Sequence, residues 1–338
     1  MDRISVVILN YNGQENLQEF LPTVVKLSPG CKVIIADNCS TDNSLKWLAE
    51  KFPEIAVIQL EENHGFSEGY NLALLQVKST YYVLLNSDVE VTHGWIDPII
   101  QLMDQDPLIA ACQPKILSYR DKNKFEYAGA GGGFIDTLGY PFCRGRIFNS
   151  LESDQGQYDD TRPVFWATGA CLFIRAEVFH QFEGFDPSFF AHMEEIDLCW
   201  RLNLSGFKIY YQGQSKVYHL GGGTLPKSNP RKTYLNFRNG FTMLYKNSTS
   251  SSLVWKLPFR LLLDLVAAIK FMIFDSFRDS MAVLTADKDF LLNLANTNKQ
   301  RRKFLGKTKN PKLSQIYQGS IVLDYFIKGK RFFKDINF

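Results

Sequence analysis

The stretch ISVVILNYNG (residues 4–13) carries the pattern on which the predicted fold depends. Its first six residues are almost all apolar, which predicts a short strand buried on both faces rather than one with a solvated side. Polar residues and a glycine follow at once, so the strand is expected to end in a polar turn. A buried strand that ends in this way is typical of a parallel sheet that binds a ligand beyond its strand ends.

The same arrangement repeats along the first part of the chain. Further apolar runs predict strands at residues 32–36, 55–60 and 81–85, and amphipathic stretches between them predict helices at 14–27, 42–51 and 67–77. Strands that alternate with helices indicate βαβ units. We therefore predict an α/β fold with a mostly parallel central sheet that is flanked by helices.

The rest of the chain is less regular. Residues 118–163 are rich in Gly, Asp, Arg and aromatic residues, which predicts a long loop or a small excursion beside the site rather than a separate domain. Beyond it we expect a strand at 170–174, a helix at 194–205, two short strands at 208–211 and 216–218, and helices from Pro230 to the end. The glycine run 129–133 lacks the strand–loop–helix setting of a phosphate cradle, so it is interpreted as flexible backbone near the acceptor.

Composition and charge exclude several classes of protein. The 338 residues are 45% hydrophobic and 22% charged, with a net charge of +3, so nucleic acid is not expected as a partner. The six cysteines are scattered without a C-x-x-C pair, which fits a reducing compartment. The start of the chain shows no signal-peptide pattern. We therefore expect the protein in the cytoplasm.

The most apolar long segment spans residues 253–277. It contains Lys256, Pro258, Arg260, Asp264 and Lys270, so it fails the test for a membrane-spanning helix. Two interpretations stay open at this point. The segment is either a helix that lies in a membrane interface or an ordinary helix that packs on the catalytic domain.

Polar residues at the predicted strand ends are candidates for nucleotide recognition. Asp37 could accept the imide N–H of a pyrimidine base, and Tyr11 could lie against that base. Ser40 and Asp42 equally fit the N-cap of the next helix. The glycines of residues 63–71 would let the backbone approach a ligand, and the following helix offers its positive end to an anion.

Acidic residues and one histidine indicate a metal and a general base. Asp88 follows the fourth strand, where a carboxylate can reach a divalent cation on a diphosphate. His219, which precedes glycines, could complete such a site. Glu194 and Glu195 stand together at a predicted helix start. Helix-dipole stabilisation explains such a pair, but crowded acids beside aromatic residues can also raise one pKa, as a general base requires.

Together these clusters resemble the family 2 glycosyltransferases, which are inverting enzymes of the GT-A fold, and especially their rhamnosyltransferase-like branch. The similarity runs from residue 4 to about residue 247. It implies a GT-A (Rossmann-like) catalytic domain over residues 1–228, with a nucleotide-sugar half at about 1–117 and an acceptor half at about 118–228. A helical C-terminal extension, with possible contact to a membrane, would follow at 229–338.

The resemblance also implies roles by position. The nucleotide-sugar pocket would comprise Asn10, Tyr11, Asn12, Asp37, Asn38, Asn63, Gly65, Phe66, Gly69, Asn71, Asn86, Ser87 and Asp88. The loop that lines the donor sugar and acceptor would comprise Trp166, Thr168, Gly169 and Ala170. Asp88 and His219, the latter within the motif 217–222, would bind Mn²⁺ or Mg²⁺. Arg238 and Asn239 resemble the segment that follows the catalytic domain in this branch.

Two positions depart from the family pattern. Asn86 stands where the family's D-x-D motif begins, and Glu195 stands where the family has an aspartate as the catalytic base. Either Glu195 or Glu194 could be the base. The expected function is transfer of a sugar from a UDP- or dTDP-sugar, with dTDP-rhamnose as one candidate, to a hydroxyl of a glycan or lipid-linked acceptor in cell-surface polysaccharide synthesis.

Two other functions are compatible with an α/β sheet that binds a nucleotide. A nucleotidyltransferase would need a basic phosphate-activating motif near the N-terminus, and residues 10–13 contain no Lys or Arg. A catalytically inactive scaffold that binds nucleotide sugar within a polysaccharide assembly complex is the alternative, and product formation distinguishes it from an enzyme.

Overall fold

The computed structural model describes residues 2–221, 229–305, 313–336 and 338. The predicted domain boundary at residue 228 and Gly222 of the histidine motif lie outside these residues, so the division of the chain stays a prediction.

The N-terminal elements follow the predicted alternation of strands and helices. In chain order they are β1 (Asp2–Asn10), α1 (Gln14–Leu27), β2 (Lys32–Asp37), α2 (Ser44–Lys51), β3 (Ala56–Gln59), α3 (Gly65–Leu74) and β4 (Ser79–Asn86). They are followed by β5 (Val89–Val91), α4 (Asp97–Gln105) and β6 (Ile109–Ser118). The strands begin and end within about two residues of their predicted bounds because each coincides with an apolar run.

The middle of the chain forms short strands and two helices. These are β7 (Gly133–Asp136), β8 (Pro141–Cys143), β9 (Arg146–Ile147), β10 (Ser150–Leu151), β11 (Thr161–Val164), β12 (Cys171–Arg175), α5 (Ala176–Gln181), α6 (Glu194–Leu204) and β13 (Lys208–His219). The two strands predicted at 208–211 and 216–218 are one strand, β13, whose register shifts between Gln212 and Lys216.

The C-terminal part is mainly helical. It contains α7 (Pro230–Asn247), α8 (Ser250–Phe274), α9 (Phe277–Leu292), α10 (Leu294–Leu305), β14 (Ile316–Tyr317) and α11 (Ile321–Phe326). The expectation of helices alone was wrong at β14, which pairs with β7. Within the described residues no helix has both the length and the apolar character needed to cross a membrane.

The strands form two sheets. The central sheet has nine strands in the order β11-β13-β6-β12-β4-β1-β2-β3, with β5 beside β13. The strands β3, β2, β1 and β4 are parallel, as predicted, whereas β12 enters antiparallel between β4 and β6. The α/β architecture with helices on both faces is confirmed, and the sheet is parallel from β3 to β4.

Residues 118–163, predicted as a long loop or a small excursion, contribute four strands to a smaller sheet, so the prediction of a loop without strands was wrong. The smaller sheet has five strands in the order β10-β9-β8-β7-β14. The glycine run before it is buried rather than flexible. A Cβ atom on Gly133 would lie 2.1 Å from Cε2 of Trp166, so the indole ring packs directly on the backbone. This run is glycine-rich because side chains do not fit there.

Apolar side chains cover both faces of the central sheet. Val6 and Ile8 of β1 belong to a core with α1 and α4, and Val7 belongs to the opposite core with α3 and α6. These alternating directions follow from the pleat of the strand. Because both faces are closed, the carboxyl ends of the parallel strands are the edge left for a ligand.

Candidate active site

The ends of β1 and β2 form a buried polar cluster. The amide of Asn10 donates to Oδ2 of Asp37 at 2.9 Å and to the hydroxyl of Ser40 at 3.0 Å, while the backbone N–H of Ser40 donates to Oδ1 of Asp37 at 2.9 Å. Asp37 therefore closes the turn after β2. Each oxygen of the Asp37 carboxylate accepts one hydrogen bond in this cluster and can accept another.

The turn beside this cluster is held by Asn12. Its side-chain oxygen accepts from the backbone N–H groups of Thr41 and Asp42 at 2.7 and 3.2 Å. The N-cap of α2 is Asn43, so the expectation of Ser40 or Asp42 at that position was wrong. Asp42 nevertheless accepts from the N–H groups of Gln14 and Ser44, at the starts of α1 and α2. Tyr11 projects from this turn with an exposed fraction of 49%, so one aromatic ring is free to cover a base.

The segment after β3 is closely packed against α3 and β1. The amide of Asn38 donates to the side chain of Asn63 at 3.0 Å and to the carbonyl of Gly65 at 2.9 Å. A Cβ on Gly69 would lie 3.2 Å from the amide nitrogen of Asn38 and from Leu9. Asn38, Asn63 and Gly69 thus hold α3 against the strand ends.

The N-terminus of α3 already has a partner, which corrects the expectation that it offers its free N–H groups to an anion. The backbone N–H groups of Phe66 and Ser67 donate to the carbonyl of Phe190 at 2.7 and 3.1 Å. Gly65, with φ +71°, leaves room for the Phe190 ring, since a Cβ there would lie 2.5 Å from it. Asn71 is also occupied, because its amide group exchanges two hydrogen bonds with the backbone of Phe185.

The predicted metal ligands lie together at the end of β4. Nε2 of His219 is 3.1 Å from Oδ1 of Asp88 and 3.4 Å from the amide nitrogen of Asn86. Pairing of β13 with β5 brings His219 beside Val89, which explains how residues so distant in sequence meet. Ser87 lies close to Gly13, where an added Cβ would be 3.6 Å from its hydroxyl.

Glu126 is a buried partner of this histidine that the sequence analysis missed. Its carboxylate lies 3.2 Å from Nδ1 of His219 and accepts the backbone N–H of Ala128. Burial alone would lower the pKa of His219, but the carboxylates of Asp88 and Glu126 outweigh it and raise the pKa to about 10. The sequence around Glu126 shows only a single acidic residue before a glycine run. Nothing in that pattern indicates a contact with His219.

The side chains at this site fit a divalent cation that is bound partly by the protein and partly by a substrate. Among the described residues, no group of three His, Cys, Asp or Glu side chains is arranged to hold a metal. Glu126 contacts the opposite edge of the imidazole from Asp88, so it cannot bind the same ion. Asp88 and His219 can supply two ligands, and Mg²⁺ or Mn²⁺ usually completes its shell with phosphate oxygens and water.

The acidic pair begins α6 in two different environments. Glu194 is buried, with 4% of its surface exposed, whereas Glu195 is only half-buried. Burial and the neighbouring charge of Glu195 raise the pKa of Glu194 well above its usual range. Burial also raises the pKa of Glu195, and backbone hydrogen bonds, among them one from Gly169, oppose this rise.

The loop before β12 connects the acidic pair to the strand ends. A Cβ on Gly169 would lie 3.9 Å from the Glu195 carboxyl carbon and 3.1 Å from the Phe66 ring, and the carbonyl of Ala170 accepts from the N–H of Asn86 at 3.0 Å. Thr168 fixes this turn by accepting from the N–H of Ala170 at 3.2 Å.

Trp166 takes a different place from the rest of its predicted loop. It packs inward, with its indole N–H donating to the carbonyl of Phe134 at 2.9 Å. Only 5% of its surface is exposed. The indole therefore packs against the smaller sheet and supports the loop from the protein interior. It does not line an open cleft.

The sequence matches the profile of glycosyl transferase family 2 over residues 5–182. It is 27% identical over 237 residues to the N-acetylglucosaminyl-diphospho-decaprenol L-rhamnosyltransferase of Mycobacterium tuberculosis, covering 64% of this chain and 76% of that protein. It is 24% identical to the low-salt glycan biosynthesis hexosyltransferase Agl10 of Haloferax volcanii, covering 79% of this chain and 83% of that one. Rhamnosyltransferase WbbL of Escherichia coli K12 is 24% identical, over 62% and 80% of the two chains.

Solved structures share the fold. S. aureus TarS 1–349 superposes with a TM-score of 0.55 at 14% identity, over 88% of this chain and 83% of that chain. GalNAc-T7 with UDP, GalNAc and Mn²⁺ gives a TM-score of 0.55 at 17% identity, over 72% of this chain and 47% of that chain. These likenesses confirm the predicted GT-A architecture.

The profile match spans more than half of the chain and includes β1 to α5, whose strand ends carry the polar clusters described above. The rhamnosyl- and hexosyltransferase relatives confirm the resemblance on which the sequence analysis relied. The chain belongs to glycosyl transferase family 2.

Proposed function

We propose that this glycosyltransferase moves a sugar, with inversion, from a UDP- or dTDP-sugar to a hydroxyl of a glycan or lipid-linked glycan in cell-surface polysaccharide synthesis. The observation that carries the proposal is the contact chain from Glu195 through Gly169 and Ala170 to Asn86, which brings a carboxylate to the parallel strand ends. The named rhamnosyltransferase relatives support dTDP-rhamnose as the donor to test first.

The donor nucleotide is assigned to the ends of β1 and β2. Asp37 retains acceptor capacity for the imide N–H of uracil or thymine, and the exposed ring of Tyr11 supplies a stacking surface. Asn12, Asn38 and Asn63 fix the backbone around this pocket through their own hydrogen bonds. Their role is therefore to shape the pocket.

The diphosphate is assigned to Asp88 and His219, which would hold Mn²⁺ or Mg²⁺. When bound, the cation neutralises charge that builds on the leaving diphosphate. Asp88 would supply a hard carboxylate oxygen, and His219 would supply Nε2 once its proton is released. The Glu126 carboxylate lies 3.2 Å from Nδ1, on the opposite edge of the ring, where its charge favours the orientation that presents Nε2.

The base is assigned to Glu195. It is half-buried, and a Cβ on Gly169 would lie 3.9 Å from its carboxyl carbon, whereas only 4% of the surface of Glu194 is exposed. Glu195 removes the proton from the acceptor hydroxyl as the oxygen attacks the anomeric carbon, and the bond from that carbon to the diphosphate breaks. One displacement inverts the anomeric configuration without a covalent enzyme intermediate.

Two glutamine variants distinguish the acids. We expect Glu195→Gln to reduce the turnover number by about 10²–10⁴-fold with unchanged donor affinity, because it removes general-base catalysis. Glu194→Gln is the matched control. It should retain most activity because this assignment gives the enclosed Glu194 side chain no part in proton transfer. Initial rates and donor binding by calorimetry measure both effects, and an active Glu195→Gln enzyme beside an inactive Glu194→Gln enzyme would reverse the assignment.

The Glu126 contact gives a second prediction. Glu126→Gln should weaken binding of Mn²⁺ about 10–100-fold in the presence of nucleoside diphosphate, since a second partner orients the histidine ligand. Binding is measured by electron paramagnetic resonance of free Mn²⁺. Glu152→Gln, which changes a carboxylate next to β10 of the smaller sheet, serves as the control. Equal Mn²⁺ affinity in wild type and Glu126→Gln would contradict the assigned role.

We also propose that α8 and α9 lie on the cytoplasmic face of a membrane. In α8 charged side chains face the protein interior and apolar side chains face outward, which is the reverse of a helix on a water-exposed surface. Arg260 and Asp264 face the protein interior at 3% and 0% exposure, where the guanidinium lies over the Tyr140 ring and Asp264 accepts from the Tyr140 hydroxyl. Of the four charged residues of α8, Lys270 alone is exposed to solvent.

The outer surface of α8 is largely apolar, and α9 exposes further apolar residues together with Arg278 and Lys288. On α8 the exposed large residues are Val254, Trp255, Phe259, Leu262, Leu265, Val266, Ile269, Met272, Ile273 and Phe274. On α9 they are Phe277, Met281, Leu284, Leu291 and Leu292. So large an apolar surface marks an interaction site. A lipid-linked acceptor, whose carrier sits in the bilayer, makes a membrane the partner that this proposal selects.

Vesicle binding tests this contact. Wild-type protein should co-sediment with vesicles that contain anionic lipid, and the double variant Leu265→Glu/Ile273→Glu should bind at least about tenfold more weakly, because two buried side chains contribute roughly 1.5–3 kcal/mol each. Leu75→Glu, at the residue that follows α3 and is 71% exposed, is the control and should bind like wild type. Equal binding by all three proteins, or none, would contradict the membrane contact.

A further inference from the structure

The turn before the acidic pair has an unusual backbone. Phe190, His192 and Met193 have φ values of 62°, 71° and 73°, in the left-handed region that favours glycine. Three such residues within four positions persist only where surrounding groups hold them. The strain lies directly before α6, whose first turn carries Glu194 and Glu195.

Asn239 of α7 supplies much of the restraint. Its amide nitrogen lies 3.0 Å from the carbonyl oxygen of Phe189, 2.9 Å from that of Ala191 and 2.7 Å from that of His192, and it donates to all three. Asn239 is 1% exposed, so its amide group is enclosed by the protein. One side chain thus gathers the carbonyls of the left-handed turn.

Arg238 fixes which way the Asn239 amide points. Its guanidinium donates to the Asn239 side-chain oxygen at 2.9 Å through Nε and at 2.6 Å through Nη2, and Nη2 also donates to the carbonyl of Ser188 at 2.7 Å. With the oxygen committed to a cation, the NH₂ group must face the three carbonyls.

Movement of this turn would reach the acidic pair directly. The carbonyl of Met193 accepts the N–H of Asp197 at 2.9 Å, which is the first hydrogen bond of α6. On the other side, Phe190 is joined to α3 through its carbonyl. The position of Glu195 relative to Gly169 therefore depends on a turn that is restrained from both sides.

We propose that Asn239 is a positioning residue for catalysis: its amide holds the turn 189–193 in the left-handed conformation that presents Glu195 to the acceptor hydroxyl. The inference rests on the proposed function, in which Glu195 is the base. Asn239 is enclosed beneath the turn and acts through Glu195, without contact to a substrate.

The test compares Asn239→Asp and Asn239→Ser with Thr233→Val. The aspartate keeps the size of asparagine but sets a carboxylate oxygen against three carbonyls, and the serine retains one small donor. Thr233→Val removes a hydrogen bond of 2.6 Å from α7 to Asp279 of α9 and leaves the turn untouched. It is therefore the control for loss of α7 stability alone.

We expect Asn239→Asp to lower the turnover number by about 10²-fold, since a shift of about 1 Å in a catalytic group has that effect. The turnover number of Asn239→Ser should lie between those of Asn239→Asp and wild type. Affinity for the nucleoside diphosphate should stay within twofold, because that pocket lies at β1 and β2. Thr233→Val should change the melting temperature and leave the turnover number near wild type.

Two outcomes would overturn the inference. One is a folded Asn239→Ser or Asn239→Asp enzyme with a turnover number within threefold of wild type. The other is a parallel fall of turnover, nucleotide affinity and melting temperature in both Asn239 variants and Thr233→Val, which would show a role in stability alone. An active Glu195→Gln enzyme would instead refute the proposed base, so the two failures are distinguishable.

Discussion

The hydrogen bonds from the N–H groups of Phe66 and Ser67 to the carbonyl of Phe190 join the two parts of the site. They place the turn that carries the acidic pair against α3, which itself packs on the ends of β1 and β2. The contact requires Gly65, because a side chain there would overlap the Phe190 ring. This junction therefore helps to fix Glu195 relative to the ends of β1 and β2.

Helix α7 has two roles that follow from its buried polar residues. Lys246 lies 2.5 Å from Asp186 and 3.1 Å from Asp197, and Asn247 donates to Asp197 at 2.8 Å, so α7 is bound to α6 by groups out of contact with water. Breaking such a buried charge pair is costly because it leaves an unpaired charge. The helix that follows α7 in the chain is α8, whose outer surface is largely apolar. One rigid helix thus links the acidic turn to the proposed membrane contact.

Local sequence patterns predicted the first half of the fold closely. Helix α1 has its predicted bounds, and the first four strands follow the apolar runs, because each of these elements buries a continuous stretch of neighbouring residues. The smaller sheet escaped prediction since its strands are two to four residues long and β14 joins β7 from about 180 residues away. Such pairing leaves no periodic signal within any one segment.

The candidate site was predictable where residue types themselves imply chemistry. Asp88 and His219 were expected to meet, and they lie 3.1 Å apart. Glu126 and Asn239 acquire their roles only through contacts with distant backbone and side chains, which no spacing reveals. The helix start at Gly65 looked like an anion site for the same reason, since its partner, the Phe190 carbonyl, is far away in the chain.

The central claim is that Asp88, His219 and Glu195 act together in metal-dependent sugar transfer. The most direct measurement is release of nucleoside diphosphate from UDP- and dTDP-sugars, with a lipid-linked glycan acceptor and with Mn²⁺, Mg²⁺ or EDTA. The account predicts release from one donor, dependent on acceptor and metal and abolished by EDTA. Donor binding without release under any of these conditions would contradict it and indicate a nucleotide-sugar-binding scaffold.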